Sequence, residues 1–299
     1  MTIKVGMIGL DTSHCPAFVN LLNDKNNEFY VPGAQVVKAF PGGSTTFSNS
    51  RNRVGQFTEE LKGKGIEIVD SIEALEGLDA FFLESVDGAQ HLEQFKILAK
   101  FGKPVFIDKP LACSLSDAKE IAAIAKAKNI PVMTASAIRY ANGISTLKDD
   151  DEKVGSCDAF GPMALLEDYR DYFWYGIHSA EVLFSFMGKG CASVQAFSND
   201  KFDVVLGMWS DGRMGTMRGN RFGGNNFGCT ITTDKANKSS MALSDVPYYA
   251  QMLKHIVPFF ATGKAPIDFA ESLEIIAFLE AASQSRAANG KLVEIASIL

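Results

Sequence analysis

The chain is short of three things, and each shortage excludes a class. Its five cysteines (Cys15, Cys113, Cys157, Cys191 and Cys229) are odd in number, far apart and never spaced C-x-x-C. They form neither a disulfide framework nor a zinc motif and read as buried or free thiols in a reducing compartment. No apolar run approaches the roughly 18–20 residues of a membrane helix. Positive charge is outnumbered and scattered: 29 Lys and Arg against 35 Asp and Glu give a net charge of −6. That leaves no electrostatic footprint for nucleic acid. The one dense charge run, Asp149–Lys153, reads as a solvated loop. The first ten residues hold one lysine and a short apolar stretch, Ile3–Leu10, with a polar turn directly after it. This predicts a first β-strand rather than a secretory signal, and a cytoplasmic protein.

What is present suits an ordinary globular protein of two domains. At 299 residues, 46% hydrophobic and 21% charged, the chain can bury a core without disulfides or a structural metal.

Residues 1–136 alternate strand and helix patterns. Ile3–Ile8, Gln35–Phe40, Ile66–Val69, Ala80–Glu84, Val105–Asp108 and Ile130–Ala135 are predicted strands. Helices are predicted from Pro16 to Asn23, Arg51–Lys62, His91–Lys100 and Asp117–Lys128, the last started by Ser114 or Ser116 and stopped at Asn129. Such alternation implies parallel β-α-β units in a doubly wound sheet. In residues 137–299 the texture changes. A β-like stretch, Met163–Tyr169, precedes a helix, Ile177–Met187. Strands Ser193–Ser198, Phe202–Trp209, Gly215–Arg218 and Phe227–Thr233 then follow one another across short polar turns. Two helices, Tyr248–Thr262 and Ala270–Asn289, and a short strand, Leu292–Ile295, close the chain. This second domain is α+β with an open, mainly antiparallel sheet. A ligand cleft is expected at the C-terminal ends of the first domain's strands.

The turn after the first strand reads V-G-M-I-G-L-D-T-S-H, Val5 to His14. A dinucleotide fingerprint G-x-G-x-x-G would place glycine at positions 9, 11 and 14. Only Gly9 is there. Asp11 and His14 hold the other two places, and a carboxylate about 5 Å from a phosphate charge costs on the order of 3 kcal/mol at an effective dielectric near 20. Either Asp11 points away from the seat or the cofactor sits differently. Thr12, Ser13 and the local N–H groups remain as phosphate donors. After the second strand the chain reads F-P-G-G-S-T-T, Phe40 to Thr46, without the acid that grips NAD ribose hydroxyls. With Gly43, Ser44, Thr45 and Arg51 there, this edge leans slightly toward NADP. Arg51 and Arg53 also suit solvated helix-start positions.

The densest local signal is K-P-V-F-I-D-K-P, Lys103 to Pro110. It puts Lys109 at the C-terminal end of a parallel strand, where a buried lysine can deliver charge or a proton to a substrate oxygen. Here the sequence resembles the glucose-fructose oxidoreductase / inositol dehydrogenase / MocA (Gfo/Idh/MocA) family. Asp108-Lys109-Pro110 looks like its E-K-P signature, with a conservative change at the first position. E-S-V-D-G-A-Q-H (Glu84–His91) resembles its T-P-x-x-x-H segment, and A-I-R-Y (Ala137–Tyr140) its domain junction. Y-G-I-H-S-A-E-V-L-F-S-F-M-G (Tyr175–Gly188) resembles its D-x-G-x-H-x-x-D helix, and Asp268–Arg286 with Gly290–Ile295 its closing helix and strand.

The resemblance implies a Rossmann-type domain followed by a substrate-binding and oligomerisation domain. It implies NAD- or NADP-dependent oxidation or reduction at a carbinol carbon of a sugar or cyclitol. Lys109 would orient the reacting oxygen and His178 would transfer the proton, an imidazole being suited to either direction near neutrality. Cofactor contacts would come from Gly9, Asp11, Thr12, Ser13, His14, Gly43, Ser44, Ser85, His91, Asp108 and Pro110, with His91 also readable as structural. His255, on an apolar helix, reads as structural alone. The family's acid four residues before the histidine is Trp174 here, so the usual trio lacks its carboxylate. Arg139, Asp168, Asp171, Tyr172 and Trp174 are the expected substrate contacts, from stacking aromatics and hydroxyl-binding charges. No metal site is expected, and a homodimer or homotetramer would pair through the second domain's sheet. Glycoside cleavage through transient oxidation and a non-catalytic nucleotide or sugar sensor are the alternatives.

Overall fold

A computed structural model describes residues 2–298. By their packing they divide into two compact units, the chain up to Ala135 with Tyr249–Phe269, and Ser136–Tyr248 with the chain from Ala270 on.

The first unit contains β1 (Ile3–Ile8), α1 (His14–Asn23), β2 (Ala34–Phe40), α2 (Ser48–Arg51), α3 (Val54–Gly63), β3 (Glu67–Ile68), β4 (Ala80–Leu83), α4 (His91–Leu98), β5 (Val105–Ile107), α5 (Leu115–Lys128) and β6 (Val132–Thr134). Its six strands are parallel in the order β3-β2-β1-β4-β5-β6. The order reverses between β1 and β4, the switch point where doubly wound sheets hold ligands. Strands β4 and β5 are buried along their whole length, as continuous apolar runs in a two-sided parallel sheet must be. Helix α5 has the expected caps. Ser114 accepts from the Asp117 N–H at 3.1 Å, and Asn129 ends the helix in the left-handed region with φ 55°. The single helix expected over Arg51–Lys62 is two, α2 and α3, interrupted at Asn52 and Arg53.

The second unit contains β7 (Val154–Pro162), α6 (Gly176–Met187), β8 (Cys191–Ser198), β9 (Phe202–Trp209), β10 (Met214–Asn220), β11 (Gly228–Thr233) and β12 (Asn237–Met241). After α7 (Tyr248–Thr262), α8 (Phe269–Ala287) and β13 (Val293–Glu294) return to it. The sheet runs β12-β11-β7-β10-β9-β8-β13, antiparallel except for the β7–β10 pair.

Three expectations are corrected here. Met163–Tyr169 is not a strand; β7 lies just before it. Its inward positions are the small residues Cys157, Ala159 and Gly161, so no bulky alternation marks it. Close packing by Phe227, just before β11, and by α6 keeps Gly161 small: a Cβ there would stand 2.2 Å from Phe227 and 3.0 Å from Ser179 of α6. Strand β12, N-K-S-S-M, is a polar edge strand without a hydrophobic period. Helix α7, expected in the second domain, packs with the first. Its Phe260 ring meets Phe82 at 5.0 Å, and Tyr249 meets Phe18 at 5.7 Å.

Candidate functional site

In the first unit, Gly9 ends β1 with φ +87°, and a Cβ there would stand 2.3 Å from the Ser85 nitrogen. No other residue fits that approach of the β1 and β4 turns. Asp11 settles the question left open by the sequence: its carboxylate turns inward. One oxygen accepts from the Ser50 hydroxyl at 2.6 Å and the other from the Val86 N–H at 2.9 Å. Burial pushes its pKa up, against the lowering effect of these two hydrogen bonds. Asp11 is therefore a strut from the β1 turn to α2 and the β4 turn, its carboxylate taken up by these two bonds. Helix α1 starts with Ser13 as N-cap, without a capping side-chain bond and without an acid in its first turn. Pro16 has no N–H and the Cys15 N–H bonds the Thr12 carbonyl at 3.3 Å, so an anion here would rest on the His14 N–H and the Thr12 and Ser13 hydroxyls, in a place that the Asp11 carboxylate does not fill. Thr12 is buried there and Ser13 exposed. These residues fit a diphosphate.

On the ribose side the β2 turn is fastened to the β4 turn. Ser44 donates to Asp87 at 2.6 Å, and Gln90 donates to the Gly43 carbonyl at 3.1 Å. An acid thus reaches this edge from the β4 turn, although none follows β2 in sequence. His91 is wholly buried, with its ring nitrogens 2.7 Å and 3.2 Å from the Ser85 and Leu111 carbonyl oxygens. Both ring nitrogens are thus engaged in fixing the β4 turn.

At the C-terminal ends of β1, β4 and β5 sits a buried group of four titratable residues. His14 Nδ1 lies 3.1 Å from Asp108 and 3.4 Å from Glu84, and its ring packs on Tyr249 at 4.6 Å. Burial works against a charged imidazole, but the neighbouring Asp108 outweighs it and His14 stands well above the ordinary histidine range. Burial and the Asp108 charge push Glu84 up to about 7. Asp108 is held low despite its burial, chiefly by His14 and then by Lys109. Lys109 is 8% exposed, and burial pulls its pKa down while Asp108 and Glu84 hold it up. The Pro110 ring packs where a Cβ on Gly88 would stand, 3.0 Å away. Ser85 is buried beside Gly9.

In the second unit, His178 lies in the first turn of α6, half-buried between the rings of Tyr175 at 5.7 Å and Phe227 at 5.2 Å. Its Nδ1 is 2.6 Å from the Ser136 Oγ, which also accepts from the Ile138 N–H at 3.2 Å. The hydroxyl oxygen has two lone pairs, so it can accept from the Ile138 N–H and from Nδ1–H together, which leaves Nε2 as the nitrogen that exchanges a proton. Ser136 thus holds the imidazole where the family's acid is missing. Sequence reasoning did not find it, since it precedes the quoted A-I-R-Y segment and lies 42 residues from its partner.

Several of the expected substrate residues are engaged by partners within the second unit. Tyr172 has no exposed surface and donates to Asp203 at 2.9 Å, so it is a core residue and not a substrate contact. Arg139 is largely buried, bonded to Glu181 at 2.7 Å and Glu271 at 2.6 Å; its fork is taken up by the fold. Asp171 pairs with Arg286 at 2.9 Å. Trp174 packs edge-on against Tyr169 and Tyr175, half-buried, and Asp168 is exposed on the preceding turn.

Comparison with known proteins bears on family and fold. Residues 3–136 match the profile of the oxidoreductase family with an NAD-binding Rossmann fold, GFO_IDH_MocA. The Saccharomyces cerevisiae protein YMR315W is 32% identical over 108 residues, which span 30% of this chain and 31% of that protein. The Salmonella typhimurium protein YceM is 27% identical over 228 residues, 69% of each chain. Among solved structures, the Lactobacillus casei myo-inositol dehydrogenase in complex with NAD(H) and myo-inositol shares the fold. Its TM-score is 0.78 at 15% identity, over 98% of this chain and 97% of that one. Among the described residues no helix is long and apolar enough to cross a membrane.

Proposed function

We propose, from the premise that residues 3–136 belong to the oxidoreductase family with an NAD-binding Rossmann fold, that the protein is an NAD-dependent oxidoreductase acting on a CH–OH group of a sugar- or cyclitol-like substrate. The observation that carries this reading is the inward turn of Asp11, which leaves the α1 N-terminus open to a diphosphate. The residues that would hold the dinucleotide are Gly9, Thr12 and Ser13 at the diphosphate and Gly43 at the ribose edge. When bound, the nicotinamide accepts or supplies the hydride. The sequence leaned toward NADP because no acid follows β2. Asp87, whose oxygens accept from Ser44 and the Ala89 N–H, holds a negative charge near that edge, which disfavours a 2′-phosphate there.

The chain's own residues take the remaining roles. Lys109, buried at the end of β5, orients and polarises the reacting oxygen. His178, with its Nδ1–H held by the Ser136 hydroxyl, gives the Nε2 proton of its imidazolium form to that oxygen in the reducing direction, and takes the proton on bare Nε2 of its neutral form in the oxidising one. The inositol dehydrogenase likeness supports a polyol substrate. The second unit's sheet has an outward face with Phe197 and Met214 each 55% exposed and Phe202 40% exposed. Apolar side chains in that number support pairing of two copies across it. The five cysteines form no disulfide with one another, which suits a reducing compartment such as the cytoplasm.

Incubation with NAD and a panel of cyclitols and sugar alcohols tests the reaction. A steady rise in nicotinamide absorbance is expected with at least one member. Glycosidic bond cleavage without net absorbance change would instead favour a cofactor that is transiently reduced and regenerated.

A further inference from the structure

The His14, Glu84 and Asp108 side chains come from three different turns, at the ends of β1, β4 and β5, and are 7%, 0% and 1% exposed. One donor atom from each lies within 4.8 Å of the other two. Neither oxygen of Glu84, neither oxygen of Asp108 and not the Nδ1 of His14 makes a hydrogen bond of good geometry. Two buried carboxylates, each with one oxygen 3.1–3.4 Å from the same imidazole nitrogen, form a donor set that a cation can hold as well as a protonated histidine can. We infer that these three residues bind one divalent cation of the zinc and manganese class, as a structural staple across the three turns.

The geometry suits such an ion. With metal–ligand bonds of about 2.1 Å, the Nδ1–oxygen separations of 3.1 Å and 3.4 Å subtend angles of about 95° and 108° at the metal. Both carboxylates have two open oxygens, so either can bind through both and complete four or five ligands without water. An imidazole in the set favours zinc or manganese over magnesium, which keeps its waters and an all-oxygen shell. The ligand side chains have almost no exposed surface, which suits a structural ion rather than one that meets substrate. The His14 ring is held for ligation by Tyr249 at 4.6 Å and Phe18 at 5.9 Å. Lys109, next to Asp108, acts on both acids and is the competing source of positive charge. The inference does not depend on the redox reading.

The test is calorimetric titration of chelator-treated, full-length protein with zinc chloride and manganese chloride, with elemental analysis of protein purified without chelator. One equivalent should bind at micromolar or tighter affinity, and the thermal midpoint should rise with the ion. Glu84→Gln and Asp108→Asn should each weaken binding at least fiftyfold with unchanged circular dichroism. If either variant fails to fold, the wild-type midpoint with and without ion decides. No uptake of either ion, no rise in midpoint, or equal binding by both folded variants would overturn the inference. A midpoint that rises in ion-free Glu84→Gln, with no ion taken up by the wild type, would show that a proton and Lys109 balance the cluster instead.

Discussion

Replacing Lys109 with alanine is expected to lower kcat/KM by at least about a hundredfold, with dinucleotide affinity changed only a few-fold. The ammonium stands at the end of β5, 8% exposed, and both Asp108 and Glu84 act on it. In that setting its charge is desolvated, so a developing negative charge on a substrate oxygen gains far more from it than from a surface lysine. Uniform binding would show as a raised KM with kcat intact; transition-state work lowers kcat. The same substitution removes positive charge from two buried acids, so folding must be read separately by circular dichroism. Lys109→Met, which keeps most of the stem's packing, is the control for lost volume. A folded Lys109→Met variant with less than a threefold loss of kcat would assign this lysine to charge balance alone.

Arg139→Ala is expected to destabilise the protein by about 3–5 kcal/mol, the usual cost of leaving buried charge unpaired. Its guanidinium bonds Glu181 at 2.7 Å and Glu271 at 2.6 Å, and the three side chains are 11%, 4% and 16% exposed. Burial already pushes the Glu181 pKa up, with Arg139 opposing it, so without the arginine the two acids repel each other in a dry site. For a chain of this size the loss amounts to a fall of roughly 10 °C in the thermal midpoint. Arg139→Met combined with Glu181→Leu should recover part of it, because an apolar pair of similar volume needs no charge balance. Thermal unfolding of the single and double variants measures both effects. A shift under about 2 °C for Arg139→Ala would return this residue to the substrate contacts expected of it from sequence.

Local signals were read well because local physics sets them. Ser114 and Asn129 bound α5 through groups within a few residues of the helix end. Strand Phe202–Trp209 shows its alternation in full, with Asp203, Val205, Gly207 and Trp209 inward. What failed was decided by partners distant in sequence. β7 reads as loop because its inner positions are small, Gly161 pressed by Phe227 and by α6. α7 belongs to the first unit because Phe82 and Phe18 receive its aromatics. The site followed the same rule. Lys109 and His178 stand out through a motif, but the Asp11 strut depends on Val86, 75 residues on, and the Asp87 acid at the ribose edge on Ser44, 43 residues before it. No window of sequence contains either pair. Asp11 seemed an obstacle to a diphosphate only because its hydrogen-bond donors were out of sight.

The central claim is that the α1 N-terminus remains a diphosphate seat while Asp11 is tied back by Ser50 and Val86. Calorimetric titration with NAD, NADH, NADP and NADPH measures it without any assumption about substrate. NAD and NADH should bind in the micromolar to submillimolar range usual for enzyme ligands. NADP and NADPH should bind at least about tenfold more weakly because of Asp87, since a carboxylate about 5 Å from a phosphate costs on the order of 3 kcal/mol at an effective dielectric near 20. Failure of all four to bind would contradict the account, and tighter binding of the phosphorylated pair would contradict the role given to Asp87.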